Sequence, residues 1–209
     1  MELLSNLPVF FTAVLLLALV PGPAVALLIR RCSLGGFSAG APVVIGLEAG
    51  LYLWALAAGA GLAALVATSQ TAYAVLRVIG AAVLVVLGVQ ALLAARRSDP
   101  PAVTPLPLIP RGSAGGFSVG LVTNLANPKV AVFMFAFYPQ FIPPGYPVLL
   151  TAAALGLVQV GVEAGLYFGF CAAIGRARAW FSRQRVRRSL DALCGAVLVG
   201  LGLRLATDG

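Results

Sequence analysis

The sequence predicts an all-α integral membrane protein: six transmembrane helices forming two inverted three-helix repeats, with helices 1 and 4 broken. Three observations carry that prediction. Six long apolar blocks divide the chain, at about 7–29, 38–66, 72–94, 116–141, 148–174 and 190–206. Arginines collect in every second segment outside the blocks. A heptapeptide of the second block returns in the fifth, 115 residues later.

Composition sets the class. Only 10% of the residues are charged and the mean hydropathy is +1.02, whereas a soluble domain carries roughly 25% charged residues. About twenty apolar residues span a bilayer core as a helix, and the blocks do not alternate as barrel strands would. Little chain remains outside them, so residues 1–209 read as a single transmembrane domain. Repeat one covers about 1–95, a linker about 96–115 and repeat two about 116–209.

Block one holds Pro21-Gly22-Pro23 beyond its midpoint. A proline has no N–H to give the carbonyl four residues back, so the helix should break there. Block two holds Gly46-Leu47-Glu48-Ala49-Gly50-Leu51-Tyr52, and block five holds Gly161-Val162-Glu163-Ala164-Gly165-Leu166-Tyr167. Six of those seven positions are identical, and the same offset aligns Gly80-Ala81 with Gly195-Ala196. That is a duplication. With three spans per half, the second copy enters the membrane inverted, a recurrent transporter arrangement with its site at mid-membrane on broken helices.

Block four contains the segment around which the rest is organised, Asn124-Leu125-Ala126-Asn127-Pro128-Lys129. Pro128 should deprive the Asn124 carbonyl of its helical partner and push Asn127 out of helical dihedrals, where it suits an N-cap. A second half-helix would start at Pro128, its positive dipole end near mid-membrane. Lys129 there meets both the dipole and the cost of a charge in the bilayer, about 2.5–3.5 kcal/mol on insertion scales. It is expected to be a ligand; the bland account is a structural kink with a snorkelling lysine. Ser98 to Pro110 reads as a cytoplasmic linker, and Arg176 to Arg188, with Trp180 and Phe181, as an interfacial segment on anionic lipid.

The charges argue topology rather than nucleic acid, despite a net charge of +8. Arg30 and Arg31, then Arg96, Arg97 and Arg111, then Arg176, Arg178, Arg183, Arg185, Arg187 and Arg188 mark alternate loops. By the positive-inside rule both termini lie outside, which for a bacterial inner membrane is the periplasm. Arg77 and Arg204 sit near outer span ends, placed to snorkel. The first block lacks the basic start of a signal peptide. Cys32, Cys171 and Cys194 all fall near cytoplasmic span ends, so no disulfide is expected in a reducing compartment. There is no histidine and no zinc-like cysteine spacing, so no metal or cofactor is expected.

Glu48 and Glu163 are the acids well inside apolar blocks. The glycines flanking each lie about 200° away around the helix, at about 100° per residue, and read as close helix packing. Tyr52 and Tyr167 follow their acids by four residues, on the same face, so each pair could line a polar cavity. The alternative is a structural ion pair, with Lys129 or Arg77 satisfying a glutamate.

Pro21-Gly22-Pro23, Asn124-x-x-Asn127-Pro128-Lys129 and Pro139-Gln140-Phe141 together resemble the LysE/RhtB-type amino-acid exporter family, over the whole chain in length, span count and order. The resemblance implies a multi-pass bacterial inner-membrane protein exporting amino acids or close derivatives, driven by an ion gradient, commonly protons. Its Pro-Gly-Pro and Asn-Pro-Lys positions carry over directly, whereas Glu48, Glu163, Tyr52 and Tyr167 rest on the repeat. Substrate identity does not transfer.

The leading expectation is therefore a secondary exporter of a small zwitterion, not an enzyme. Pro21, Gly22, Pro23, Asn124, Asn127, Pro128, Lys129, Tyr52 and Tyr167 would bind substrate. Glu48 and Glu163 would couple protons. Lys129 has no counterpart beside Pro21 to Pro23, so the two acids should divide their work, one near the lysine and one carrying the proton. Rival readings are a divalent-metal exporter, for which two acids make a thin ligand set, and a non-transporting helical scaffold. An intramembrane enzyme would need a nucleophile–base pair or an acid pair; the chain has no histidine, and Glu48 and Glu163 are the only acids it offers inside the apolar blocks. Partners are a small molecule and membrane lipid, with a homo-oligomer left open.

Overall fold

In the computed structural model, residues 2–20, 22–96, 112–173 and 183–207 are described, and every regular element among them is helical. The helices are α1 (Glu2–Leu19), α2 (Pro23–Thr68), α3 (Gln70–Arg96), α4 (Ser113–Leu125), α5 (Pro128–Phe137), α6 (Val148–Ala172) and α7 (Gln184–Thr207), with a 3₁₀ turn at Tyr138–Gln140. Pro21, the linker from Ser98 to Pro110 and the segment around Trp180 and Phe181 lie outside the described residues.

At 1.5 Å per residue, the 46 residues of α2 would reach about 70 Å if straight, twice a bilayer core. They do not run straight. Gly35 and Gly36 leave helical dihedrals, Gly36 at φ +65°, a left-handed value that glycine adopts without penalty. The kink divides α2 into arms 23–34 and 37–68. Among the described residues, three helices are long and apolar enough to cross a membrane, namely α2, Gln70–Leu93 of α3, and α6. A fourth span forms if α4 and α5 with its 3₁₀ turn, bent 58° apart, count as one. Block one is not one continuous helix: α1 ends at Leu19, and its Leu7–Leu19 part is a shorter apolar helix.

Two apolar clusters hold the helices together, with a polar layer between them. In the first, Phe10 and Val14 of α1 meet Phe133 and Phe137 of α5, Tyr138, Phe141, and Leu51 and Leu155. The second joins Leu27, Leu28 and Cys32 of the first α2 arm to Val43, Val44 and Leu47 of the other arm and Tyr167 and Cys171 of α6. Between Leu47 and Leu51 stands Glu48, and between Leu155 and Tyr167 stand Gln159 and Glu163, all buried.

Glycines set the closest approaches. A Cβ on Gly88 would lie 2.7 Å from the Gly195 carbonyl, and one on Gly195 2.6 Å from the Gly88 carbonyl, so α3 and α7 cross backbone to backbone. Along α2 and α6 the contacts run antiparallel: Gly40 meets Cys171, Tyr52 and Ala55 meet Gly156, and Gly59 meets Ala152. That register places Glu48 opposite Glu163.

The reading of the repeated glycines as packing surfaces divides here. Gly46 lies against the Phe117 carbonyl, Gly120 against the Val43 carbonyl, and Gly50 against the Asn124 side chain; α4 crosses this face of α2. Their counterparts Gly161 and Gly165, with Gly169, have nothing within 4 Å among the described residues, because no described helix crosses that face of α6. Repeat-equivalent substitutions should therefore have opposite signs. Gly46→Ala forces a backbone apart, an overpacking cost of about 1–3 kcal/mol. Gly161→Ala recovers about 0.5–1 kcal/mol of helix propensity. Thermal unfolding midpoints in detergent should fall for the first variant and hold or rise for the second.

Candidate functional site

The site is built where both helix breaks meet α6. At the second break, Asn127 is extended (φ −86°, ψ 103°) and its side-chain oxygen accepts the Lys129 backbone N–H at 3.1 Å, an N-cap with Pro128 in the first helical turn, as the sequence predicts. The Asn124 carbonyl loses its i+4 helical partner, as expected, and accepts the Asn127 N–H at 3.0 Å instead. The N–H groups of Val130 and Ala131 reach back to the Asn127 carbonyl. The first turn of α5 has thus used its backbone donors, and what it offers a ligand is the Lys129 ammonium and the dipole.

The first break is the reverse case. Gly22 is extended and gives no side-chain cap to the first turn of α2, where Pro23 has no N–H to need one. On the other side of that break the Tyr167 hydroxyl donates to the Ala18 carbonyl at 3.5 Å, the acceptor that a continuous helix would have satisfied from Gly22.

Between the breaks lies a cavity of about 70 Å³. A water needs roughly 10–15 Å³ measured in that way, so there is room for several waters or a very small solute. Gly22, Pro23, Asn124, Asn127, Lys129, Glu163 and Tyr167 line it, with apolar walls that include Val130, Phe133 and Met134. Seven of the residues singled out in the sequence are therefore brought together. Pro128 shapes the break without lining the space, and Pro21 is not among the described residues. Tyr52 is only half-buried and stands beside Gly156 on the α2–α6 seam. Glu48 also lies outside the lining, behind Glu163 and within reach of its charge.

The polar chemistry around the cavity is unevenly satisfied. Gln159, fully buried, links two groups: the Tyr138 hydroxyl donates to its Oε1 at 3.0 Å, and its Nε2 donates to Glu163 Oε1 at 2.7 Å. The partner of Glu163 is thus a neutral amide, where the ion-pair alternative had Lys129 or Arg77. Asn124 Oδ1 and Glu48 Oε2 are buried and have no hydrogen-bond partner among the described residues, a costly state for an acceptor. Lys129 is exposed at its side chain while lining the cavity, and the charges it feels include Asp191 of α7. Sequence reasoning missed Gln159 and Asp191. Gln159 could have been found as a polar residue in an apolar block, one helical turn before Glu163.

The comparisons with known proteins agree with the sequence motifs. The profile of the family described as LysE type translocator matches residues 15–209. The chain belongs to the LysE type translocator family. Among its relatives, the homoserine/homoserine lactone efflux protein of Salmonella typhi is 30% identical over 194 residues, covering 92% of this chain and 91% of the relative. An uncharacterized membrane protein of Vibrio cholerae serotype O1 is 32% identical over 164 residues, 78% of each chain. The leucine efflux protein of Salmonella choleraesuis is 27% identical over 204 residues, 95% of this chain and 93% of the relative. No solved structure matches the chain significantly. In this LysE type translocator, two of the three motifs that mark the resemblance lie at the breaks beside the cavity, and the third, Pro139-Gln140-Phe141, falls at the 3₁₀ turn.

Proposed function

We propose that this protein is a secondary exporter of small amino acids or close derivatives, coupled to protons, built as six spans in two inverted repeats. One observation carries the reading: a single small cavity joins both helix breaks, a lysine, a buried carboxyl and a buried amide oxygen without a partner. A zwitterion has the matching groups. Its carboxylate would meet Lys129 and the uncapped first turn of α2, since anions favour helix N-termini. Its ammonium would give hydrogen bonds to Asn124 Oδ1 and Glu163. The apolar walls would take a short aliphatic side chain.

The antiparallel register supports the inverted repeat, because it sets the duplicated Glu48 and Glu163 face to face across α2 and α6. Two like charges in one buried place cannot both persist, so the pair would hold a proton when no ammonium is present. Glu163, in the cavity with Lys129, is assigned to the substrate, and Glu48, behind it, to the proton. The names of the efflux relatives agree with an amino-acid cargo.

Two measurements test this. Cells loaded with a panel of amino acids and homoserine should lose one or more of them faster when the protein is present. Equal retention across the panel would leave the scaffold reading in its place. For topology, single cysteines at Ser69 and Gly145 in a background without native cysteines should label from outside intact bacteria, and one at Leu34 should not. The opposite labelling would reverse the orientation in the inner membrane and the direction of the proposed transport.

A further inference from the structure

Two of the three cysteines meet where no disulfide was expected. The Cys32 thiol, in the first arm of α2, donates to Cys171 Sγ of α6 at 2.7 Å, across 139 residues of sequence. Both residues are buried. A sulfur–sulfur bond is about 2.05 Å long, so the two sulfurs stand less than about 1 Å beyond bonding distance. Gly40 keeps the place open: a Cβ there would collide with Cys32 Sγ and come within 2.6 Å of Cys171 Sγ. The contact is not far from the surface, since Ser33, Leu34, Ala172 and Ala173 are exposed. That end is where a water-sized oxidant would have to enter.

We propose that Cys32 and Cys171 are a peroxide-sensitive disulfide site that fastens the 23–34 arm to α6. The chemistry balances with one hydroperoxide. One thiolate attacks the peroxide and becomes a sulfenic acid, releasing water; the second displaces hydroxide from that sulfur, which leaves as a second water. Two S–H bonds and the O–O bond are lost, one S–S bond forms, and the sulfurs give two electrons to the peroxide.

The position of the bond gives it its effect. The 23–34 arm lines the cavity through Pro23 and Val25, and α6 lines it through Gln159, Glu163 and Tyr167. The second apolar cluster closes the space between them and the Cys32 end. A covalent link there forbids the arm and α6 to separate. That the link also stops export rests on the transport reading above; the bond itself does not.

The test uses the full-length protein in vesicles treated with hydrogen peroxide. Remaining thiols are blocked, and the digest is searched by mass spectrometry for a Cys32 peptide joined to a Cys171 peptide. Wild type and Cys194→Ser should show the joined peptide, a raised thermal midpoint and loss of amino-acid efflux, all reversed by dithiothreitol. Cys32→Ser and Cys171→Ser should show none of these changes, and Gly40→Ala should slow the joining. Absence of the joined peptide from wild type, or its presence without a thermal shift, overturns the proposal. So does a joined protein that exports at the untreated rate. Vesicles that export nothing before peroxide refute the exporter reading alone, while the joined peptide and the thermal midpoint still decide the clamp.

Discussion

Lys129→Gln is expected to abolish export while the protein still inserts and folds. Lys129 lines the cavity from the first turn of α5, and the backbone donors of that turn are already engaged by Asn127. Its ammonium is therefore what this break can offer a carboxylate. A hydrogen bond to a charged group contributes about 1.5–3 kcal/mol, roughly ten- to a hundredfold in affinity. Glutamine keeps the length and a donor but removes the charge, so it separates electrostatics from shape. Its exposure argues that folding will not suffer, and a size-exclusion profile in detergent would show that. An Lys129→Gln protein that exports at the wild-type rate would return the lysine to the role of a snorkelling side chain, and the proposed carboxylate seat would have to move to the α2 break alone.

The two glutamates should separate under the same kind of test. Glu48→Gln is expected to leave exchange of substrate between vesicle faces intact while gradient-driven export no longer responds to an imposed proton gradient. Glu163→Gln is expected to weaken substrate binding itself, because this carboxyl lines the cavity and Glu48 does not. Glutamine is nearly isosteric, so neither change should open a void. The Gln159 amide, held by Tyr138 on one side, fixes the Glu163 carboxyl on the other. Gln159→Leu should accordingly resemble Glu163→Gln in a weaker form. Unchanged pH profiles and gradient dependence in both glutamate variants would mean that neither acid carries the proton.

What could be read from the chain beforehand follows the range of the interactions involved. The Asn127 cap and the Pro128 start are local, set by a proline and its neighbour, and they stand as predicted. So does membership of a membrane family, because hydropathy and motifs need no tertiary knowledge. The kink at Gly35 and Gly36 lay hidden between two blocks, since a loop and a tight hinge look alike in composition. Tyr52 shares its motif with Tyr167, yet only Tyr167 reaches the cavity. A repeat makes sequences equivalent; its surroundings need not follow, as Gly46 and Gly161 also show. The approach of Cys32 to Cys171 depends on how the first α2 arm lies on α6, which no pattern within either segment encodes.

The aromatic stack above the cavity has a consequence in electrical terms. Phe133 forms part of the cavity wall and stacks on Phe137 at 4.3 Å between ring centroids. Phe137 meets Phe141 at 4.5 Å and Phe10 at 5.4 Å, and all four rings are buried. Water does not thread such a column, because empty apolar space stays dry. Protons, which travel along files of water, find no conductor there. In this conformation the column is an insulator on the side of the cavity that Phe133 closes: a proton taken up in the cavity finds no file of water through these four rings.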